Sequence, residues 1–358
     1  MAPTMYDYYK SQPRHMKHIV DNAGGLFDGF AAFYAETAPD RVYLCGSGTS
    51  FHAGNSAQDF MEMILGVEVG VMVPSQARAP RGGRPLVIAI SQSGRSTNTL
   101  SAMRGMKENG AAIAALTCSP GSPVGLASDC PVTLDVGDEL VSPKTKGYTG
   151  SVISLYLMAL AAGLRSGAIS SECYAKWLGD IAASAEAGEE NQRACGEFYA
   201  KHAGALSGAR SYLFVGKGIS AKVCGEAALK VLETIYCPAA AYEFEEYLHG
   251  PIYYMDEGMA LFLVVPEDED KGRVVRLGEM VGEISPNVYL VTYDPGLKGE
   301  RVIKLRAADG RYMSPFSAVF PGQLVSALVP ASSGIGEHPI VRRLFDSMSI
   351  KTAPPPQA

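Results

Sequence analysis

Two hydroxyl-rich turns in this chain have the residue types that could hold an anion. The first, Ser91-Gln92-Ser93-Gly94-Arg95-Ser96, follows the apolar run 86–90 and precedes a helical pattern over 97–109. Serine hydroxyls donate side-chain hydrogen bonds, Gly94 lets the backbone approach closely, and the start of the next helix offers N–H groups and a partial positive charge. A phosphate dianion can be held in this way without a lysine. The second turn, Ser47-Gly48-Thr49-Ser50, follows the run 42–45 and would meet the same anion from a neighbouring strand. Either turn alone reads equally well as ordinary strand-to-helix punctuation by a small N-cap residue. Two of them on consecutive strands favour the anion.

Proton transfer needs a carboxylate or an imidazole that can approach a substrate. Glu233 ends a helical pattern in which Leu229 and Leu232 form the apolar stripe, so Glu226, Lys230 and Glu233 are expected to point away from the core. His249 precedes Gly250-Pro251, a turn that exposes the side chain before it. Taken alone, both residues read as solvated surface groups, as do Glu243, Glu245 and Glu246, of which Glu246 could border a substrate. No His/Cys/carboxylate spacing resembles a ligand set, so neither a metal nor an organic cofactor is expected.

The elements that must carry these residues repeat. The run 41–45 into Gly46-Ser47-Gly48 is matched by 210–215 into Gly216-Lys217-Gly218, and helical patterns follow each, over 52–65 and 221–236. A second buried strand comes next in each half (85–90 and 259–265), then a helical stretch, then a third strand (112–116 and 288–291). Strands alternating with helices of this length imply two doubly wound α/β domains, flavodoxin-like, each a parallel sheet flanked by helices. The second copy has Pro266-Glu267-Asp268-Glu269-Asp270 where the first has its serine turn, and these acids would repel an anion. Only the first copy can hold phosphate in this way. The stretch 179–205, rich in Ala, Glu and Gln, reads as a connecting helix or linker, which places the domains at 1–195 and 196–358. The first 35 or so residues read as amphipathic helix around Met16, Ile19 and Phe27, and the tail from Ala353 as disordered.

Composition removes several functions. At 358 residues, 47% hydrophobic and 19% charged, the chain can bury two ordinary cores. A net charge of -6 offers no attraction to nucleic acid or to an anionic membrane. The apolar run 152–164 is too short for a membrane span and reads as a buried helix, and no signal peptide is expected. Seven cysteines without a CxxC pair fit a reducing cytoplasm.

Ser91-Gln92-Ser93-Gly94 after a buried strand is similar to the phosphate motif of SIS (sugar isomerase) domains. The chain resembles, over nearly its whole length from Gln12-Pro13, the isomerase half of glucosamine-6-phosphate synthase and the fructosamine-6-phosphate deglycases. The resemblance runs through Cys45-Gly46-Ser47-Gly48-Thr49-Ser50, residues 91–99, Glu139 to Thr149, Glu226-Ala227-Ala228-Leu229-Lys230-Val231-Leu232-Glu233 and His249-Gly250-Pro251. It implies two tandem SIS domains and a sugar-phosphate ligand, with Thr49, Ser50, Ser91, Gln92, Ser93 and Ser96 around the phosphate. Ser47 and Ser142 would be further substrate contacts. By the same resemblance Glu233 moves the proton between C1 and C2, and His249 assists ring opening or amine departure. That histidine would come from the neighbouring subunit, making a homodimer part of the mechanism. Arg95, Ser96 and Lys144 depart from the family pattern. The family's glutaminase domain has no counterpart, so the chain is expected not to draw ammonia from glutamine by itself.

Two catalytic readings follow. In the first, a 6-phosphorylated ketosamine undergoes C1–C2 proton transfer and loses its amine; the His338-Pro339…Arg342-Arg343 tail resembles that of the deglycases. In the second, the chain is an aldose–ketose isomerase or an aminotransferase of the synthase type. The synthases use a C-terminal lysine to form an imine, and Lys351 is the last lysine here, though it stands further beyond His338-Pro339 than a synthase tail would place it. A non-catalytic sugar-phosphate sensor is a third reading, opposed by the filled Glu233 and His249 positions and by the absence of a helix-turn-helix pattern.

Overall fold

The computed structural model describes residues 3–77, 82–336 and 338–352, so the expectation for the tail from Ala353 lies outside the described residues. Two helices open the chain, α1 (Met5–Asp21) and α2 (Ala23–Thr37), with Met16, Ile19 and Phe27 buried as their apolar spacing requires. Strands and helices then alternate: β1 (Arg41–Cys45), α3 (Thr49–Leu65), β2 (Glu68–Met72), β3 (Pro85–Ile90), α4 (Thr97–Glu108), β4 (Ala112–Thr117), α5 (Pro123–Ala127) and β5 (Cys130–Thr133). Three helices follow: α6 (Lys146–Ser166), α7 (Ser171–Glu186) and α8 (Gly188–Gly208). The stretch expected as a connecting helix or linker is therefore α7 and α8. The alternation resumes with β6 (Ser211–Gly216), α9 (Ile219–Thr234), β7 (Ala239–Glu243), α10 (Phe244–Leu248), β8 (Met259–Val264), α11 (Lys271–Val281), β9 (Val288–Thr292) and β10 (Val302–Lys304). Helices α12 (Phe320–Ser333) and α13 (Pro339–Ser347) complete it.

Among the described residues every pairing within the sheets is parallel, and the two five-stranded sheets run β2-β1-β3-β4-β5 and β10-β9-β8-β6-β7. Read from the matching end, both have the order 2-1-3-4-5, so the duplication extends to topology. The fold is the doubly wound, flavodoxin-like α/β arrangement expected twice over. The central strands β3, β6 and β8 are buried at every residue, as near-continuous apolar runs must be when helices cover both faces.

The chain groups into two compact units, one around each sheet. The first-sheet unit takes Arg14–Leu140, Lys146–Gly179 and the described C-terminal residues 338–352; the second-sheet unit takes residues 3–13, Val141–Thr145 and Asp180–Gly336. This grouping is interleaved, where the sequence reading drew a single cut at 195/196.

In the first-sheet unit the core helix is α6, with Phe60 of α3 stacked on Tyr156 at 3.9 Å between ring centroids and Ser56 bonded to the Tyr148 hydroxyl at 2.8 Å. By length and composition α6 would pass as a membrane span, yet 89% of its apolar window is buried inside the protein. It is the buried helix expected at 152–164. In the second-sheet unit, Phe262 stacks on Phe214 (5.2 Å) and meets Tyr289 (5.1 Å), closing an aromatic core on β6, β8 and β9. None of the seven cysteines forms a disulfide.

One half-buried histidine ties stability to pH. His15, on the part of α1 grouped with the first sheet, has its pKa lowered from 6.5 to about 4 by burial first and then by Lys146, Arg14 and His18, against a smaller opposing pull from Asp135. A group with a depressed folded pKa favours the fold above its unfolded pKa, and that contribution disappears as pH falls through the folded value. Stability should decline between about pH 6.5 and pH 4, and His15→Gln should flatten that decline. Urea midpoints across the range measure it; parallel pH profiles for the two proteins would assign the decline to other groups.

Candidate functional site

The two hydroxyl turns leave adjacent parallel strands, β1 and β3, paired in register from Arg41↔Pro85 to Cys45↔Ala89. The strand order reverses between them, and in such sheets the carboxyl ends at the reversal form a crevice. A direct bond joins the turns: Asn98 Nδ2 donates to Ser47 Oγ at 2.9 Å, while Asn98 Oδ1 accepts from Ser96 Oγ at 2.5 Å and from the Thr99 N–H at 2.8 Å. Gly48, with φ +56°, starts α3, so Thr49 and Ser50 stand in that helix's first turn. Ser91 is buried and its N–H donates to Leu116 O at 3.0 Å, while Ser93 and Ser96 are half-buried.

Gly94 makes this turn possible. Its φ is +63°, and a Cβ there would lie 1.8 Å from Ser122 Oγ and 2.8 Å from Thr117 Oγ1. Only glycine meets both demands at once.

The ends of β3, β4 and β5 are stitched together behind the turn. The Gln92 carbonyl accepts from the Cys118 N–H at 3.0 Å, and Gln92 Nε2 lies 3.3 Å from Glu139 Oε1 and 3.5 Å from Gly137 O. Glu139 Oε1 also accepts from the Gly147 N–H at 2.7 Å in the first turn of α6, where a carboxylate suits the helix dipole. Lys146 donates to Val136 O at 2.5 Å; burial lowers its pKa, with Glu139 pulling the other way.

The C-terminal segment reaches the same turn. Lys351 forms an antiparallel bridge with Ser96, Thr97 N–H and Oγ1 donate to Ile350 O (3.2 Å) and Ser349 O (2.8 Å), and Thr352 N–H donates to Arg95 O at 2.9 Å. The Arg95 guanidinium bonds the Thr352 carbonyl in return. Desolvation, and secondarily the charge of Arg95, lower the pKa of the Lys351 amine from its ordinary value. The structure thus places Lys351, which stands further along the sequence beyond His338-Pro339 than a synthase tail would have it, beside Ser96.

The corresponding place in the second copy is filled by its own charges. Gly218 begins α9 with φ +56°, as Gly48 begins α3, and Lys217 stands where Ser47 does. Lys217 Nζ pairs with Asp270 (2.5 Å) and Asp268 (2.9 Å) from the turn after β8, and these bonds raise its pKa.

Glu233 lies in the last turn of α9, 34% exposed. The expectation about this helix is inverted. Glu226 and Lys230 are fully buried and Leu232 is 46% exposed, so the charged stripe faces inward and part of the leucine stripe faces out. The reason is mutual neutralisation: Lys230 Nζ lies 2.5 Å from Glu233 Oε2 and 3.3 Å from Glu226 Oε1, one and one turn away on the helix. Burial alone would lower the Lys230 pKa, but the two carboxylates more than offset it, and the net direction is up. Lys230 was not singled out from the sequence, although its i+4 spacing from Glu226 and i−3 spacing from Glu233 was the available signal.

His249 also belongs to the second-sheet unit, exposed at the end of α10, with its N–H donating to Glu246 O at 3.2 Å. Glu246 is exposed and its N–H donates to Glu243 Oε2 at 3.3 Å, as helix cap; Glu245 pairs with Arg273 at 2.5 Å. Ser142 is exposed on the Val141–Thr145 segment that groups with the second sheet. Among the described residues no cluster of His, Cys, Asp and Glu has the geometry to hold a metal ion.

A repeated doubly wound sheet, with a hydroxyl-lined reversal point in one copy and a neutralised one in the other, defines a class of tandem α/β proteins. The SIS domain family matches residues 37–161 and 205–279, and the chain belongs to that family. It is 29% identical over 332 residues to the isomerizing glutamine–fructose-6-phosphate aminotransferase of Bacillus subtilis, covering 88% of this chain and 53% of that protein. The chain spans about half the length of the curated relatives it matches. Its fold is similar to a candidate phosphosugar isomerase from Clostridium difficile 630 (TM-score 0.89, 26% identity, 98% of this chain and 99% of that one). It is also similar in fold to the C-terminal domain of glucosamine-fructose-6-phosphate aminotransferase from Francisella tularensis (TM-score 0.82, 22% identity, 93% and 97% covered).

Proposed function

We propose that this SIS protein acts on a 6-phosphorylated ketosamine, with Glu233 moving a proton from C1 to C2 and the C–N bond then breaking. The observation that carries the reading is the Glu233 carboxylate, partly exposed and fixed by a fully buried ammonium. The open-chain ketosamine loses a proton from C1 to Glu233 as its C2 oxygen gains one, giving an enaminol. Returning the proton to C2 and releasing the one on nitrogen gives an imine, which water hydrolyses to an aldose 6-phosphate and a free amine. His249 protonates the ring oxygen or the departing nitrogen. The phosphate belongs on the turns at 47–50 and 91–96, held by the hydroxyls of Thr49, Ser50, Ser91, Ser93 and Ser96 and by the backbone at Gln92, with Ser47 and Ser142 as further substrate contacts. A homodimer, with His249 serving the partner subunit's site, is part of the proposal.

A second reading is favoured by one observation, the bridge between Lys351 and Ser96 together with the lowered amine pKa. An amine that loses its proton more readily is a better nucleophile towards a ketose carbonyl, which suits an isomerase or amino-transfer reaction through an imine. Incubation with a fructosamine 6-phosphate, and separately with fructose 6-phosphate plus ammonia, separates the two. Amine and glucose 6-phosphate from the first mixture support the deglycase; glucosamine 6-phosphate or glucose 6-phosphate from the second supports the isomerase. Tight binding without any product would make the chain a sensor. In all three cases Ser93→Ala should weaken binding of inorganic phosphate by roughly 1–3 kcal/mol, read by calorimetry. Unchanged affinity would remove the turn from phosphate binding.

A further inference from the structure

We propose that Gly147 decides what Gln92 does: because position 147 has no Cβ, the Gln92 side chain is held against the sheet edge and positions the anion turn, leaving phosphate to the serines and the backbone. The inference deepens the reading of the 91–96 turn as an anion site and rests on it. A Cβ at 147 would lie 2.3 Å from Gln92 Oε1, 2.7 Å from Gln92 Cδ and 3.0 Å from Glu139 Oε1. The Gln92 amide thus occupies the space that any other residue at 147 would claim. Its Nε2 faces two acceptors, Glu139 Oε1 at 3.3 Å and Gly137 O at 3.5 Å, which assigns the nitrogen to that side and the oxygen to Gly147. Glu139 is 6% exposed and fixed by the Gly147 N–H at 2.7 Å, so the acceptor is set before Gln92 arrives.

The donor end of the amide is therefore engaged within the first-sheet unit, and its oxygen packs against Gly147, so the N–H groups are not directed to a ligand. The tucked side chain ties the turn to Gly137 and Glu139 through Nε2, and the Gln92 main-chain carbonyl, which accepts from Cys118 N–H and, at 3.4 Å, from Thr117 Oγ1, holds the same residue to the end of β4. The clash that Gly147→Ala would create is with the far end of a flexible side chain, so the fold should tolerate it and Gln92 should swing out. The freed amide then has two N–H donors to offer an anion on its own turn.

The test measures inorganic phosphate binding by calorimetry in the full chain, with Gln92→Ala and Gly147→Ala separately and together, and Ser93→Ala as reference. Gln92→Ala should weaken binding less than threefold in the native background and at least fivefold in the Gly147→Ala background. Gln92→Ala matching Ser93→Ala in the native background would make the amide a phosphate ligand, and equal effects in both backgrounds would show that Gly147 does not control it; either overturns the inference while leaving the anion turn in place. Failure of native protein to bind phosphate, or indifference to Ser93→Ala, would instead remove the anion turn and the inference with it. The native protein supplies an independent readout: the Gln92 Nε2 resonances should stay fixed during a phosphate titration in the native chain and move in Gly147→Ala. Movement in the native chain comparable to that of the Ser93 amide would refute the tucked arrangement.

Discussion

Glu233→Gln should lower turnover by between about 100-fold and 10,000-fold while leaving inorganic phosphate binding within twofold. That range is the usual contribution of a positioned general base. The substitution keeps the length of the side chain and a hydrogen-bond acceptor for Lys230, so the helix end should hold its shape, but it removes the group proposed to accept the C1 proton. Lys230 retains Glu226 at 3.3 Å, which limits the structural cost. Initial rates on the substrate identified by the two-mixture assay, together with phosphate calorimetry on the same preparation, measure both halves of the expectation. A rate loss under tenfold would take proton transfer away from Glu233. A parallel loss of phosphate binding would mean that the substitution disturbs more than one carboxylate.

The expected separation follows from where the two kinds of chemistry sit in the fold. Under the proposed reading, phosphate holding falls to turns at the strand reversal of the first sheet and proton transfer to the end of a helix on the second. The duplicated topology explains the division. Each copy has a reversal point, but the second fills it with Lys217 and the acids after β8, so its charge is satisfied internally, which under the same proposed reading leaves the anion to the first copy. A cluster so neutralised offers a second phosphate nothing to bind.

The parts of this arrangement visible in the sequence are those with a local cause. Strands β1, β3, β4, β6, β8 and β9 read as apolar runs because helices cover both their faces. Strands β2, β5, β7 and β10 were missed: each is a short edge strand, only partly buried, without the long continuous apolar run of a central strand. The glycine at 94 is legible as a turn, but the contact that forbids any other residue, Ser122, belongs to a later loop. The bridge between Ser96 and Lys351 joins residues far apart in the sequence and leaves no periodic trace. Helix α9 was read inside out for a related reason. A period of 3.6 tells which residues share a face, and hydropathy was used to decide which face turns inward; a self-neutralising Glu-Lys-Glu stripe defeats that second step.

That stripe leads to the largest stability effect expected in this protein. Lys230→Met removes an ammonium that is fully buried and leaves Glu226, also fully buried, without its cationic partner. Breaking a buried pair from one side typically costs about 3–5 kcal/mol, far more than an exposed ion pair is worth, because the remaining charge keeps its desolvation penalty. Replacing both partners removes that penalty, so Glu226→Gln/Lys230→Met should recover at least half of the loss. The pH dependence has a definite sign. The Lys230 pKa is raised above 10.5 in the folded chain, so its contribution is complete below the unfolded value and is lost only as pH rises through the folded one. The gap between native protein and Lys230→Met should therefore narrow in strong alkali, where Lys230 loses its proton, and also at lower pH, where the stranded buried carboxylate takes one up. Urea unfolding at several pH values measures the gap. A single-variant loss under about 1 kcal/mol, or a double variant no better than the single, would mean that α9 is held by its apolar contacts and that the charged stripe serves Glu233 alone.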